Sequence, residues 1–380
     1  MEQGNGPAPG VTVVLAALSF QLCNANVNST DFIYGYEDDI NATAVDYSNY
    51  QFPCQKTDVR EFRAVFLPVI YAVICFVGLT GNGLVMLTYV YFKRLKTMTD
   101  LYLLNLALAD ILFLLTLPFW AVGASTDWVF GDFFCKMVYC VFKMSFFSGM
   151  FLLMGISIDR YFCIVQATSA HRHRPRTAYI GKLSCVVIWI VAFILAMPEV
   201  AHSGQKMANN KMHCTIISNN IVSYKGGIKV TQIIVGFLVP LMVMSFCYFM
   251  IIKTLLQARN FERYKAIKVI MAVVIVFVLF QLPHNSILLA KTISNSTVDC
   301  EKSKQLDIAD DVTYSLACFR CCLNPFLYAF IGVKFRNDLF KLLKELGCLS
   351  QDQLLQWSTC RQHRRMSVAM ETETTTTFSP

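Results

Sequence analysis

The chain has 380 residues, of which 55% are hydrophobic and only 15% charged, and its mean hydropathy is +0.49. Soluble globular proteins carry about 25% charged residues, so a water-facing surface over this chain would be starved of charge. Soluble single-domain and disordered architectures are both excluded, and the chain belongs in a membrane. Lys and Arg (33) exceed Asp and Glu (25), a formal net charge of +8, but the sign means little until it is split by position.

In chain order, Val11 to Leu22 form an apolar run too short to span a bilayer and of the size of a signal-peptide core. Residues 1–25 are therefore expected to be a signal peptide, with the mature chain starting outside the cell. Residues 26–63 form an acidic arm, where Asp31, Glu37, Asp38, Asp39, Asp46, Asp58 and Glu61 face Lys56, Arg60 and Arg63, a net of −4. Tyr34, Tyr36, Tyr47 and Tyr50 lie among these acids, in surroundings that favour tyrosine sulfation. Such an arm steers a basic soluble partner by long-range attraction.

Seven spans follow within residues 64–332. Ala64 to Phe92 is 29 residues without a charge, longer than the roughly 20 that a bilayer requires. Leu101 to Thr126 is interrupted by Asp110 alone, and Phe133 to Val165 carries Lys143, Asp159 and Arg160. Leu183 to Pro198, Val230 to Ile252 and Val269 to Ala290 come next. Ile308 to Ile331, with Asp310, Asp311 and Arg320, is the least apolar. The pattern predicts an all-α, seven-transmembrane helix bundle. Residues 333–347 add a short amphipathic helix, with Phe335, Leu339, Phe340, Leu343 and Leu346 at helical spacing. Residues 348–380 form a tail.

Charge bias sets the orientation. The first, third and fifth loops hold Lys93, Arg94 and Lys96, then Arg172, Arg174 and Arg176, then Arg259, Arg263 and Lys265, whereas residues 121–132 hold no Lys or Arg. Odd-numbered loops and the tail are therefore expected in the cytoplasm. The three N-x-S/T sequons, Asn28, Asn41 and Asn295, all fall on the outer side, where glycosylation occurs. Four cysteines lie there too, Cys54, Cys135, Cys214 and Cys300, and in an oxidising compartment they allow three pairings. Cys135 with Cys214 would pin the long fourth loop over the bundle; Cys54 with Cys300 would join the first helix to the seventh. Cys348, just past the amphipathic segment, is placed for palmitoylation.

Ionisable groups inside a bilayer are expensive and default to functional candidates. Asp110 lies mid-helix, and Asp159-Arg160-Tyr161 ends the third span, where Asp159 is expected to hold Arg160 by charge pairing. Pro118, Pro240, Pro283 and Pro325 mark bends or hinges. Taken singly, each of these is better explained by packing.

Their order and spacing change that. Gly81-Asn82, Leu104-Asn-Leu-Ala-Leu-Ala-Asp110, Asp159-Arg160-Tyr161, Trp189, Pro240 with Tyr248, and Asn324-Pro325-Phe-Leu-Tyr328 form an ordered set. It resembles the class A (rhodopsin-like) G-protein-coupled receptors over nearly the whole chain. Thr116-Leu-Pro118-Phe-Trp120, Trp128-Val-Phe-Gly131, Ser157-Ile-Asp-Arg-Tyr-Phe-Cys-Ile-Val165 and a second outer disulfide are similar to the chemokine receptors within that class.

The resemblance implies a plasma-membrane receptor for basic C-C chemokines that guide lymphocytes and dendritic cells to lymphoid tissue. It implies signalling through inhibitory heterotrimeric G proteins and silencing by receptor kinases and arrestin. The ligand would dock on the arm (Tyr34, Tyr36, Glu37, Asp38, Asp39) and then enter between the helices. There it would meet Tyr71, Trp120, Tyr139, Lys143, Gln281, His284 and Tyr314, with Asp310 and Asp311 at the rim. Activation would loosen Asp159 from Arg160 as the sixth helix swings on Pro283, so that Arg160, Tyr248 and Tyr328 regroup. Ser367, Thr372, Thr374, Thr375, Thr376, Thr377 and Ser379 offer phosphate acceptors whose charge would suit arrestin.

In that class the aspartate matching Asp110 binds sodium in many members. Here Arg320 lies four residues before Asn324, on the same helical face, and is expected to reach Asp110 and replace the cation. Two departures from the class are Gln281, where a tryptophan is common, and Arg263 beside Glu262, where an acid is common. The rival reading is a seven-helix transporter, but no paired repeat is visible. A retinal protein would need a lysine in the last helix, and none lies between Lys304 and Lys334. An intramembrane protease would need paired aspartates. The chain is expected not to be an enzyme and to use membrane lipids but no cofactor, metal or nucleic acid.

Overall fold

The computed structural model describes residues 54–92, 97–166, 177–208, 211–218, 221–257, 263–293, 299–331 and 333–345. Six described helices are long and apolar enough to cross a bilayer, and they are the first six spans. The first four are single helices, Thr57–Tyr91, Met98–Ser125, Gly131–Val165 and Thr177–His202. The outward faces of the first, fourth and fifth spans expose Val65, Phe76, Phe193, Phe246 and Phe249, the inverted surface of a chain whose solvent is hydrocarbon.

Prolines shape the later spans. The fifth consists of Ile221–Ile233, a π-helical turn at Ile234–Leu238 and Val239–Gln257. Pro240 follows the turn; its ring crowds the carbonyl four residues back and it has no N–H to donate, so the wider turn absorbs the misfit. The sixth span, Arg263–Ile293, keeps Pro283 inside one helix. The seventh breaks at Phe319 into Cys300–Cys318 and Arg320–Ile331. Its Asp307, Asp310 and Asp311 lower its hydropathy, which is why it stands out less than the others. The amphipathic helix is Val333–Glu345, with Leu342 buried.

Several helices run past their apolar stretches. The first begins seven residues before Ala64 and so carries Arg63 into the structure, next to the helix-flanking Lys56. The fourth ends at His202 rather than Pro198 and includes Glu199. A helix end is set by capping and hydrogen bonding, not by the edge of the hydrocarbon.

The all-α expectation needs one addition. Ser203–Ala208 and Lys211–Ile216 pair as an antiparallel hairpin, Ser203 opposite Ile216 and Gln205 opposite Cys214. Cys214 is bonded to Cys135 at the start of the third helix. Gln205 N–H donates to Asp132 Oδ1 at 3.0 Å and Trp128 N–H to Met212 O at 2.8 Å, so the hairpin lies across that helix end.

Packing brings the polar positions together. Asn82 Nδ2 donates to Cys321 O at 2.9 Å, joining first and seventh spans, and Trp189 Nε1 donates to Asn105 Oδ1 at 3.0 Å, joining fourth and second. Gly78 lets the second span come close to the first: a Cβ there would lie 2.6 Å from Leu114 Cδ1. Met150, Phe237, Met244, Tyr248 and Phe277 bury together between the third, fifth and sixth spans.

Candidate functional site: a charged mouth and a buried polar pair

The two disulfides, Cys54–Cys300 and Cys135–Cys214, mark one end of the bundle. Behind Cys54 the first helix starts, and behind Cys300 the seventh. Their charges interlock. Lys56 Nζ lies 2.7 Å from Asp307, Arg63 Nη2 2.9 Å from Asp311, and Lys304 Nζ 3.0 Å from Asp58. Lys291 of the sixth helix bridges Asp307 and Asp310, both at 2.8 Å. His284 Nδ1 stands 3.4 Å from Asp310. Asp310 and Asp311 are thus at the rim but are already neutralised from within, Asp311 by the first helix and Asp310 by the sixth.

Below the rim, aromatic rings pack against one another. Trp120 meets Tyr139 edge-on at 5.0 Å and Phe142 at 5.6 Å, Phe142 faces Tyr314 at 6.4 Å, and His284 lies 5.1 Å from Tyr314. Trp120, Tyr139 and Tyr314 remain partly accessible, whereas Tyr71 and His284 are buried. Gln281 is not in the accessible wall: it is 2% exposed and its Nε2 donates to Ala317 O. A side chain near Pro283, where helix hydrogen bonding is already interrupted, is spent on tying sixth to seventh helix.

Lys143 is also occupied. Its Nζ sits 2.9 Å from Glu199 of the fourth helix and donates to Gln232 Oε1 of the fifth at 2.8 Å. Neither Glu199 nor Gln232 was singled out from the sequence. Glu199 directly follows Pro198, where the apolar stretch stops, so it reads as a solvated flank until the helix is seen to continue.

Deeper in the bundle, Asp110 is 1% exposed. Asn324 Nδ2 donates to its Oδ2 at 2.5 Å, and Arg320 Nη2 lies 3.8 Å from its Oδ1. Gly149 of the third helix flanks the guanidinium; a Cβ there would stand 3.4 Å from Arg320 Nη2, at van der Waals contact. A carboxylate already faced by a guanidinium and an amide does not suit a sodium ion, whose charge the arginine would oppose. Pro325 packs within the first–seventh contact, its Cγ 3.0 Å from where a Cβ on Gly81 would lie.

At the end opposite the disulfides the expected Asp159–Arg160 pair is not formed. Asp159 is buried and accepts a short hydrogen bond from Thr99 Oγ1, while Arg160 is exposed. Neighbouring residues on a helix point about 100° apart, so sequence adjacency does not bring their side chains together. Tyr248 is tied instead to Ser157, whose Oγ donates to Tyr248 Oη at 3.0 Å, and Tyr161 leans against Phe246.

Tyr34, Tyr36, Glu37, Asp38, Asp39, the sequons Asn28, Asn41 and Asn295, Cys348 and the tail acceptors Ser367 to Ser379 lie outside the described residues, as does the Tyr328 side chain. Among the described residues no cluster of His, Cys, Asp and Glu could hold a metal ion.

Comparison with known proteins matches residues 81–328 to the 7 transmembrane receptor (rhodopsin family). The chain is 61% identical to the C-C chemokine receptor type 7 of Homo sapiens over 379 residues, covering 98% of this chain and 99% of that one. The Bos taurus receptor of the same type is 61% identical over 380 residues with the same coverage. The C-C chemokine receptor type 9 of Homo sapiens is 42% identical over 348 residues, 90% of this chain and 94% of that one.

Proposed function

The chain belongs to the rhodopsin-family seven-transmembrane receptors and, within them, to the chemokine receptors; on that premise we propose that it is a plasma-membrane receptor for basic C-C chemokines, with its N-terminus outside and its tail in the cytoplasm. The observation that supports this best is the disulfide end. Two disulfides and a set of ion pairs lie at the same end of the bundle as a cluster of aromatic rings, an arrangement suited to a folded ligand that stays outside and inserts one end. The net −4 arm that leads to Cys54 captures the basic body of such a ligand.

The inserted end then acts on Trp120, Tyr139, Tyr314 and the rim pairs of Asp310 and Asp311. Signal transfer is a population shift between two arrangements, and the ligand must bind one of them better to cause it. The seventh helix is suited to carry it, since its rim half and its Arg320–Asn324 half meet at the break at Phe319. The response passes to Asp159, Arg160, Tyr161, Tyr248 and Tyr328 as the sixth helix moves on Pro283. There exposed Arg160 is available to an inhibitory heterotrimeric G protein, directing migration of lymphocytes and dendritic cells to lymphoid tissue.

Receptor kinases then phosphorylate Ser367, Thr372, Thr374, Thr375, Thr376, Thr377 and Ser379 for arrestin. Palmitoylated Cys348 and helix Val333–Glu345 hold the tail root to membrane lipids, and Asn28, Asn41 and Asn295 carry glycans.

The test is a panel of labelled C-C chemokines on cells bearing the receptor, with guanine-nucleotide exchange on added inhibitory G protein as the second readout. Saturable binding coupled to exchange is expected. A panel with neither binding nor exchange refutes the receptor reading and returns the transporter to consideration.

A further inference from the structure

The hairpin carries its charge on one face. Directly opposite residues of an antiparallel pair share a face, as do residues two apart on one strand. Lys206 is opposite His213 and Ala208 opposite Lys211, so Lys206, Lys211 and His213 stand together. Gln205, Met212 and Cys214 form the other face, which is committed to the third helix and the residues just before it. Cys214 is bonded to Cys135, Met212 packs against the cluster of Trp128, Cys135 and Val138, and Gln205 Nε2 donates to Trp128 O at 3.2 Å.

Nothing in this loop balances the cations. The sequence has no Asp or Glu between Glu199 and Glu262, and Glu199 is held by Lys143. Asp132, which accepts from Gln205 N–H, is held by Lys136 at 2.9 Å. Lys225, at the outer end of the fifth span, adds a further positive charge to the field around Lys206. Both Lys206 and Lys211 are exposed, and among the described residues neither has a carboxylate within ion-pair distance. Like charges set across a strand pair repel, and an anion laid over the face removes that repulsion.

The complementary segment belongs to the same chain. Residues 26–53, outside the described residues, contain Asp31, Glu37, Asp38, Asp39 and Asp46 and no Lys, Arg or His, a net of −5. They lead to Cys54, whose disulfide to Cys300 stands at the same end of the bundle as Cys135–Cys214. The first helix packs on the second and the second on the third, so the hairpin's anchor is two helix spacings away, about 20 Å at 8–10 Å each. Asp39 precedes Cys54 by 15 residues. A flexible chain of that length has an r.m.s. span of about 20 Å and reaches roughly 50 Å when extended. A tether whose r.m.s. length matches the distance holds its end at an effective concentration in the millimolar range.

We propose that the Lys206–Lys211–His213 face of the hairpin is a docking surface for the chain's own acidic arm. The carboxylates of Glu37, Asp38 and Asp39 lie across it, and the arm is strapped over the disulfide end when no partner is present. This contact forms before any ligand arrives and does not depend on the receptor reading. With a basic ligand present, capture becomes an exchange in which the arm leaves the hairpin's cations for those of the ligand.

The experiment needs no ligand. Full-length receptor in nanodiscs of uncharged lipid carries a donor fluorophore on an unnatural residue at Ile40, beside the three acids, and an acceptor at Met207, which is 66% exposed on the hairpin. Energy transfer should be high at ~0.01 M salt and fall at ~1 M, where the screening length shrinks from about 30 Å to about 3 Å. Lys206→Gln, Lys211→Gln and His213→Gln together, or amides at all five arm acids, should each lower the docked-to-free ratio about tenfold, the scale of two or three exposed ion pairs. Combining Lys206→Glu and Lys211→Glu with Glu37→Lys, Asp38→Lys and Asp39→Lys should restore the transfer that either half of the exchange abolishes, a recovery that a misfolded variant cannot give.

Transfer unchanged by salt and by both neutral variants overturns the proposal. Loss in the hairpin variant with none in the amide arm also overturns it, because the cations then hold something other than these carboxylates, such as a sulfated glycan. Failure of the charge exchange to restore transfer does the same. A receptor that binds no chemokine removes the receptor reading and leaves this result standing, whereas one that binds a basic chemokine should lose transfer as it fills.

Discussion

Removing the Asp110 carboxylate should strand a guanidinium in the middle of the bundle. In the structure Arg320 Nη2 and Asp110 Oδ1 are 3.8 Å apart, with the side chains 6% and 1% exposed. At that separation and an effective dielectric near 20, the Coulomb term is about 4 kcal/mol. Breaking a buried pair from one side costs about 3–5 kcal/mol, so Asp110→Asn should be strongly destabilising even though Asn324 retains an amide to bond. The double variant Asp110→Asn, Arg320→Asn removes both charges and should recover most of the loss. Their coupling, read from a double-mutant cycle, should approach the same few kcal/mol. The assay is residual ligand binding after heating the detergent-solubilised receptor. At about 1–1.5 °C per kcal/mol for a chain of this length, Asp110→Asn should lower the apparent Tm by about 5 °C, and the double variant by much less.

The same geometry fixes the ion dependence. A sodium ion at Asp110 would sit near the guanidinium and be opposed by a term of similar size, about 4 kcal/mol. That lowers cation affinity by about three orders of magnitude at 1.4 kcal/mol per decade. Chemokine affinity should therefore change less than about twofold when potassium replaces sodium at constant ionic strength, and Arg320→Asn should make it sodium-dependent. Strong sodium dependence of the unmodified receptor, or equal destabilisation of the single and double variants, would refute the reasoning.

Four further outcomes follow from the disulfide end and the tail. Lys143→Met leaves Glu199 buried without its cation and should cost about 3–5 kcal/mol, visible as a fall in apparent Tm that Lys143→Met, Glu199→Leu largely reverses. Cys54→Ala with Cys300→Ala should leave the receptor at the cell surface, because Lys56–Asp307 and Arg63–Asp311 still join first and seventh helices, but should weaken the exchange response to chemokine; normal signalling would contradict this. Cys135→Ala frees the hairpin from the third helix and should reduce surface display itself, as antibody staining of intact cells will show. Truncation after Met370 removes six of the seven expected phosphate acceptors, so arrestin recruitment should fall while nucleotide exchange persists.

Which of these features could be read from the sequence follows from which forces are local. The spans were legible because a bilayer demands long uncharged runs, and the first six are helices of that kind. The Arg320–Asp110 contact was legible because Asn324 fixes one helix face and Arg320 lies one turn away on it. The Asp159–Arg160 pair was misread for the converse reason: the two share a helix but not a face, and Thr99 from another helix takes the carboxylate. Lys143 was visible as an intramembrane cation, but its partners were not, because Glu199 and Gln232 come from helices whose rotation no local pattern fixes. The rim was the hardest to read. Asp310 and Asp311 stand out as acids, yet whether they face a ligand or the protein depends on Lys56, Arg63 and Lys291, which a linear reading assigns to a tail, a flank and a helix end. Only the extension of the first and sixth helices beyond their apolar stretches brings these cations to the seventh.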